Sequence, residues 1–137
     1  MKRSEAREQA FILVFEKSFV GDEIPQIIEA AKIARDLEDD GFMEQLANGV
    51  FAHLGEIDDL IEQHSIGWKK QRISRVALAV MRLCCYEMLY EPEIPLSVSI
   101  NEAVELAKKF AGEEDASFVN GILGTIARKQ EEKASQQ

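Results

Sequence analysis

Ser74-Arg75-Val76-Ala77-Leu78-Ala79-Val80-Met81-Arg82-Leu83-Cys84-Cys85-Tyr86-Glu87-Met88-Leu89-Tyr90 is the stretch that decides how this chain folds. Its spacing predicts a helix. At about 100° per residue, Val76, Ala77, Leu78, Val80, Met81, Leu83, Cys84, Cys85, Met88 and Leu89 fall on nearly every side of it. A helix that is apolar all round belongs in the middle of a protein, covered by other helices. Glu91-Pro92-Glu93-Ile94-Pro95 stops it, because proline cannot continue a helix. The neighbouring segments must therefore supply the cover.

They read as helices too. Upstream, a first helix is expected over about Ser4 to Phe19, with Ser4 as its N-cap. Ala6, Ala10, Leu13, Val14 and Lys17 recur on one side at helical spacing, and Phe11 and Phe15 share a neighbouring face. Pro25 suits the first turn of a second helix, whose stripe is Ile24, Ile27, Ile28, Ala31 and Ala34. After Asp39-Asp40-Gly41, a single long third helix is expected, with Phe42, Leu46, Val50, Leu54, Ile57 and Ile61 inward. Gly49 and Gly55 would bend it or admit a close neighbour. His64-Ser65-Ile66-Gly67-Trp68-Lys69-Lys70 then links to the central helix. Downstream, a fifth helix from about Ser97 carries Ile100, Ala103, Val104, Leu106, Ala107 and Phe110. A sixth carries Phe118, Val119, Ile122, Leu123 and Ile126, and residues 129–137 form a polar tail. The expectation is all-α: six helices in one domain over residues 1–137, in two three-helix lobes (about 1–65 and 70–130) that share one core.

Composition agrees with this class. Of 137 residues, 46% are hydrophobic, enough for a buried core, and only 3 are proline. No segment reaches the ~18 uncharged apolar residues of a membrane span. The start, Met1-Lys2-Arg3-Ser4-Glu5, lacks the apolar run of a secretory signal, so a cytoplasmic location is expected.

The net charge of −9 opposes binding to nucleic acid, but its distribution is uneven. Residues 1–20 hold four basic and three acidic side chains, whereas residues 21–64 hold two and twelve. Residues 65–90 hold five basic and one acidic, and residues 91–137 hold five and nine. An acidic protein can still present a basic patch, here from the first and third of these segments.

Catalytic and metal-binding patterns do not emerge, and neither a cofactor nor an enzyme activity is expected. The two histidines, His53 and His64, fall on the predicted third helix three turns apart, too far to share a metal. Cys84 and Cys85 point about 100° apart and read as small core residues of a reducing compartment. Glu38-Asp39-Asp40 and Glu113-Glu114-Asp115 precede helices, where carboxylates complement the helix dipole. Glu102 and Glu105 are spaced for ion pairs with Lys108 and Lys109. Trp68, among Lys69, Lys70 and Arg72, has the composition of a base-stacking surface, yet a lone tryptophan is more often a buried plug between lobes. The one feature with a nucleic-acid mechanism is Lys2, Arg3 and Arg7 at a helix start, where free backbone N–H groups also favour phosphate.

The run Ile94-Pro95-Leu96-Ser97-Val98-Ser99-Ile100-Asn101-Glu102-Ala103-Val104-Glu105-Leu106-Ala107-Lys108-Lys109-Phe110, followed by Phe118-Val119-Asn120-Gly121-Ile122-Leu123, resembles the C-terminal signature of the NusB family. Arg82, Leu83, Tyr86 and Glu87 match a further family helix, and Ala6-Arg7-Glu8-Gln9-Ala10 matches the family's opening. The resemblance implies two three-helix bundles and a role in transcription antitermination without catalysis. In that role the protein pairs with a small-subunit ribosomal protein, NusE. The pair binds boxA RNA and helps RNA polymerase pass terminators in ribosomal RNA operons. It also implies that Lys2, Arg3, Arg7, Ser97 and Phe118 meet RNA, and that Phe15, Arg72, Arg75 and Ala77 meet the partner. Three positions depart from the family's pattern: Glu5 interrupts the basic start, Leu96 stands where an aromatic is common, and Ala77 where a carboxylate occurs. The competing expectation is a helical protein–protein adaptor that never touches RNA. The free chain is expected as a monomer or a homodimer.

Overall fold

The computed structural model describes residues 1–65 and 73–136. Among them there are seven α-helices and no strands: α1 (Arg3–Lys17), α2 (Ile24–Arg35), α3 (Gly41–Ala52), α4 (Leu54–His64), α5 (Arg75–Tyr90), α6 (Leu96–Phe110) and α7 (Glu113–Ser135). The apolar segment that opened the reading is α5, and it is central: α1, α3, α4, α6 and α7 all pack on it. Eleven of its residues are buried, Cys84 and Cys85 among them, both as free thiols. Burial raises both thiol pKa values, that of Cys85 to about 12, so neither is a nucleophile at neutral pH. Ser74 caps α5 by accepting from Ala77 N–H at 3.0 Å, and its hydroxyl donates to Asp115 at the start of α7, 2.6 Å away.

Helix α1 is the second organising element. Ala6, Ala10, Phe11, Leu13 and Val14 are buried, and the helix touches α2, α3, α5 and α6. Its N-cap is Lys2, not Ser4. Ser4 already lies inside the first turn, and its hydroxyl donates to Glu102 Oε1 of α6 at 2.9 Å. Asp40 caps α3 through Met43 N–H at 2.9 Å, while Asp39 pairs with Lys32 at 2.8 Å. Glu113, Glu114 and Asp115 form the first turn of α7, behind Gly112 at φ 125°, a conformation that excludes a side chain.

The expected third helix is two helices. The chain breaks at His53 (φ −124°, ψ 25°), whose ring stacks on Tyr90 with centroids 4.0 Å apart. His53 and His64 therefore lie on different elements, and His64 Nδ1 meets the Leu60 carbonyl at 2.8 Å. Four residues before the break, Gly49 lets α3 lie directly on α5: a Cβ there would sit 2.2 Å from Tyr86 Cε1. Gly49→Ala gains about 1 kcal/mol of helix propensity. Displacing the stacked Tyr86 ring, which the added Cβ would overlap, falls in the upper part of the overpacking range, about 2–3 kcal/mol, so a net loss of about 1–2 kcal/mol is expected in urea unfolding. An unchanged midpoint would show that the crossing tolerates a methyl group.

Candidate nucleic-acid interface

Lys2 and Arg3 are exposed at the N-terminus of α1. The first turn of a helix leaves backbone N–H groups without intrahelical partners, and the dipole makes that end positive. The two cations thus extend a site already suited to phosphate. Arg3 is held in place: its guanidinium lies over the Phe42 ring, 3.8 Å from the centroid. The α-amino group of Met1 approaches Asp40 at 3.9 Å.

Arg7 is elsewhere. One turn along the same helix, it is turned inward and is only 5% exposed. Its Nε donates to both carboxylate oxygens of Glu87 at 3.0 Å, its Nη2 meets Glu87 Oε1 at 3.0 Å, and its Nη1 lies 3.7 Å from Glu102. Arg7 is therefore an internal ion-pair partner and not a surface cation. Ser97 is exposed in the first turn of α6. The starts of α1 and α6 lie side by side, flanking a groove of about 570 Å³ lined by Ser4, Glu8, Val98, Asn101 and Lys109. Lys109 pairs with Glu8 across it at 2.7 Å, and Lys108 with Glu105 at 3.7 Å, whereas Glu102 is taken by Ser4 and Arg7. Phe118 on α7 is half-buried against the core, beside Ser117, which lines a second groove with Asn101 and Asn120.

Two of the expected partner residues, Phe15 and Arg75, meet at the other end of α1. Fourteen steps of 1.5 Å place its two ends about 20 Å apart. Phe15 stacks on Phe11 and meets Phe19 edge-on, with centroids 5.0 Å apart. The Arg75 guanidinium covers the Phe19 ring at 4.4 Å and donates to the Ser18 carbonyl at 3.4 Å. Phe15 and Arg75 are thus joined through Phe19, which is 56% exposed, next to Val20 at 47%. The sequence marks neither residue as an interface position, although the spacing from Phe15 to Phe19 is one helical turn. Beside them a groove of about 580 Å³ is lined by Lys17, Phe51, Leu54, Leu78 and Arg75. Ala77 does not belong to this surface. It is 1% exposed, because its position faces the core of α5. Arg72 lies outside the described residues, as do Trp68, Lys69 and Lys70. Of the described cations, Lys2 and Arg3 mark one end of α1, whereas Lys17 of the first basic segment lines the groove at the other end together with Arg75 and Arg82 of the third, Arg82 being paired with Asp58 at 2.8 Å.

Among the described residues, no three His, Cys, Asp or Glu side chains are placed to hold a metal ion. No described helix is long and apolar enough to cross a membrane.

The model of the NusB family matches residues 4–128. The chain is 41% identical over 126 residues to the transcription antitermination protein NusB of Bacillus subtilis, covering 92% of this chain and 95% of the relative. It is 45% identical over 127 residues to the NusB of Bacillus velezensis, with 92% and 95% covered. Among solved structures, T. maritima NusB superposes with a TM-score of 0.82 at 36% identity, covering 93% of this chain and 92% of that one. A chain in a crystal structure of the antitermination factors NusB and NusE in complex with dsRNA superposes with a TM-score of 0.81 at 25% identity, covering 94% and 99%.

Proposed function

The chain belongs to the NusB family, and on that premise we propose that it is an RNA-binding antitermination adaptor working as a heterodimer with NusE. As one RNA-binding domain it binds boxA RNA together with NusE and assists RNA polymerase through terminators in ribosomal RNA operons, in the cytoplasm and without catalysing a reaction. The observation that carries this reading is the start of α1, where exposed Lys2 and Arg3 stand on the free N–H groups of a helix N-terminus. Ser97 and half-buried Phe118 are the further proposed RNA contacts. Phe15, Phe19 and Arg75 form the proposed NusE face at the opposite end of the same helix.

With a net charge of −9, and with Lys109 in the adjoining groove already paired with Glu8, the isolated chain is expected to bind RNA weakly. A basic partner supplies the missing phosphate neutralisation. A titration of boxA RNA against the chain alone, NusE alone and the mixture, repeated over a range of salt, tests this. The mixture is expected to bind far more tightly than either protein, with affinity falling as salt rises. The inward turn of Arg7 favours a second reading, a protein-only adaptor. If the two proteins associate but RNA crosslinks only to NusE, that second reading holds and the RNA assignments fall.

A further inference from the structure

Glu87 is a carboxylate in the middle of the protein, 2% exposed, on a helix whose other buried charged residue is Arg82 and which otherwise buries mainly apolar side chains. Three contacts at 3.0 Å bind it to Arg7 of α1, and the Ser99 hydroxyl of α6 donates to its Oε1 at 3.1 Å. Arg7 reaches on to Glu102, which accepts from Ser4 at 2.9 Å. The chain of contacts thus runs Ser4, Glu102, Arg7, Glu87, Ser99. At one end stands the residue after Arg3, and at the other a residue two beyond Ser97. The cavity left beside it, about 10 Å³, is at the lower limit for a single water, so solvent has little room to replace any member. Buried ion pairs are poor contributors to stability, since apolar residues of the same volume serve as well or better. What such a pair does supply is direction: a bidentate carboxylate–guanidinium contact has one good geometry.

We propose that Glu87 is the positioning residue of the RNA face: one buried carboxylate that holds the start of α1, through Arg7, and the start of α6, through Ser99, in a fixed register. The inference rests on the RNA reading above. Glu87 touches no RNA. It fixes the spacing between the Lys2–Arg3 pair and Ser97, so that both meet one strand without rearrangement. A site ordered in advance loses less freedom on binding, and its affinity is higher for the same contacts.

The test is a double-mutant cycle on the full chain with NusE, reading the affinity for a boxA RNA oligonucleotide at one salt concentration. Glu87→Gln is expected to lower affinity about tenfold in the unmodified chain and less than about twofold in Lys2→Ala/Arg3→Ala, because its effect acts through those side chains. Ser99→Ala, which leaves the ion pair whole, is expected to give about a threefold loss that also disappears in that background. NusE affinity is the control for folding, since Phe15 and Arg75 lie at the far end of α1. If Glu87→Gln loses NusE as well, Ser99→Ala decides the matter alone. An equal loss in both backgrounds, or none in a chain that still binds NusE, overturns the positioning role. An unmodified complex that fails to bind boxA RNA overturns the RNA reading itself, and the proposal with it.

Discussion

Arg7→Ala is expected to lower the unfolding free energy by about 3–5 kcal/mol, and the melting temperature by roughly 10 °C. Removing the guanidinium strips the buried Glu87 carboxylate of its cationic partner and leaves it, among the described residues, the Ser99 hydroxyl as donor. The loss is mainly the penalty of that stranded charge and not the intrinsic worth of the pair. A second substitution separates the two. Arg7→Met/Glu87→Leu removes both charges and is expected to recover most of the stability, as replacement of a buried pair by apolar side chains commonly does. The exposed pair of Lys109 with Glu8 provides the contrast: with Lys109 60% exposed, Lys109→Ala is expected to change stability by less than about 1 kcal/mol. Urea unfolding followed by circular dichroism measures all three. If Arg7→Ala were as mild as Lys109→Ala, the inward placement of Arg7 would be wrong, and the residue would return to the surface as an RNA contact.

Lys2→Ala/Arg3→Ala should leave stability nearly unchanged and instead weaken boxA RNA binding by the NusE complex about 10- to 100-fold near 0.1 M salt. Each phosphate neutralised on a single strand contributes about 0.7 to the slope of log affinity against log salt, so the double substitution should flatten that slope by about 1.4. Loss of affinity with an unchanged slope would mean that the two residues shape the site without neutralising phosphate. No loss at all would remove the α1 start from the RNA face. Together the two experiments separate neighbours at the start of one helix: Arg7 should register in stability and, through its tie to Glu87, in RNA affinity, whereas Lys2 and Arg3 should register in binding alone.

The division between Arg7 and its neighbours marks the limit of what the sequence displays. Helices α1, α2, α5, α6 and α7 are legible because their apolar residues repeat at helical spacing, and that period is a local property. The break at His53 is not local. Gly49 and Gly55 hint at it, but the residue at the break, His53, is held by rings from a helix more than thirty residues away, stacked on Tyr90 and tilted against Tyr86. Charge is read as surface by default, so Arg7, Arg82 and Glu87 were invisible as interior residues until their partners were brought to them. At the proposed NusE face the sequence misleads in the opposite direction. Ala77 entered through a family pattern and turned out to be core, while Phe19 was passed over as a helix end and stands exposed beside Arg75. The cations at the start of α1 needed only position and chemistry, and for that reason the sequence alone indicated them.

The ties that seat α1 span most of the chain: Arg7 to Glu87 across 80 residues, Ser4 to Glu102 across 98, Lys109 to Glu8 across 101. Ribosomes add about 5–20 residues per second, so the first helix waits several seconds for the last of these partners to be made. During that interval its apolar stripe has α2 and α3 to rest on but nothing yet from α5 or α6. Of the seven described helices, the one made earliest is thus among the last to be locked, and a chaperone or membrane surface that recognises an amphipathic helix has its longest access there. Folding rate should follow that late closure, since distant contacts are slow to form.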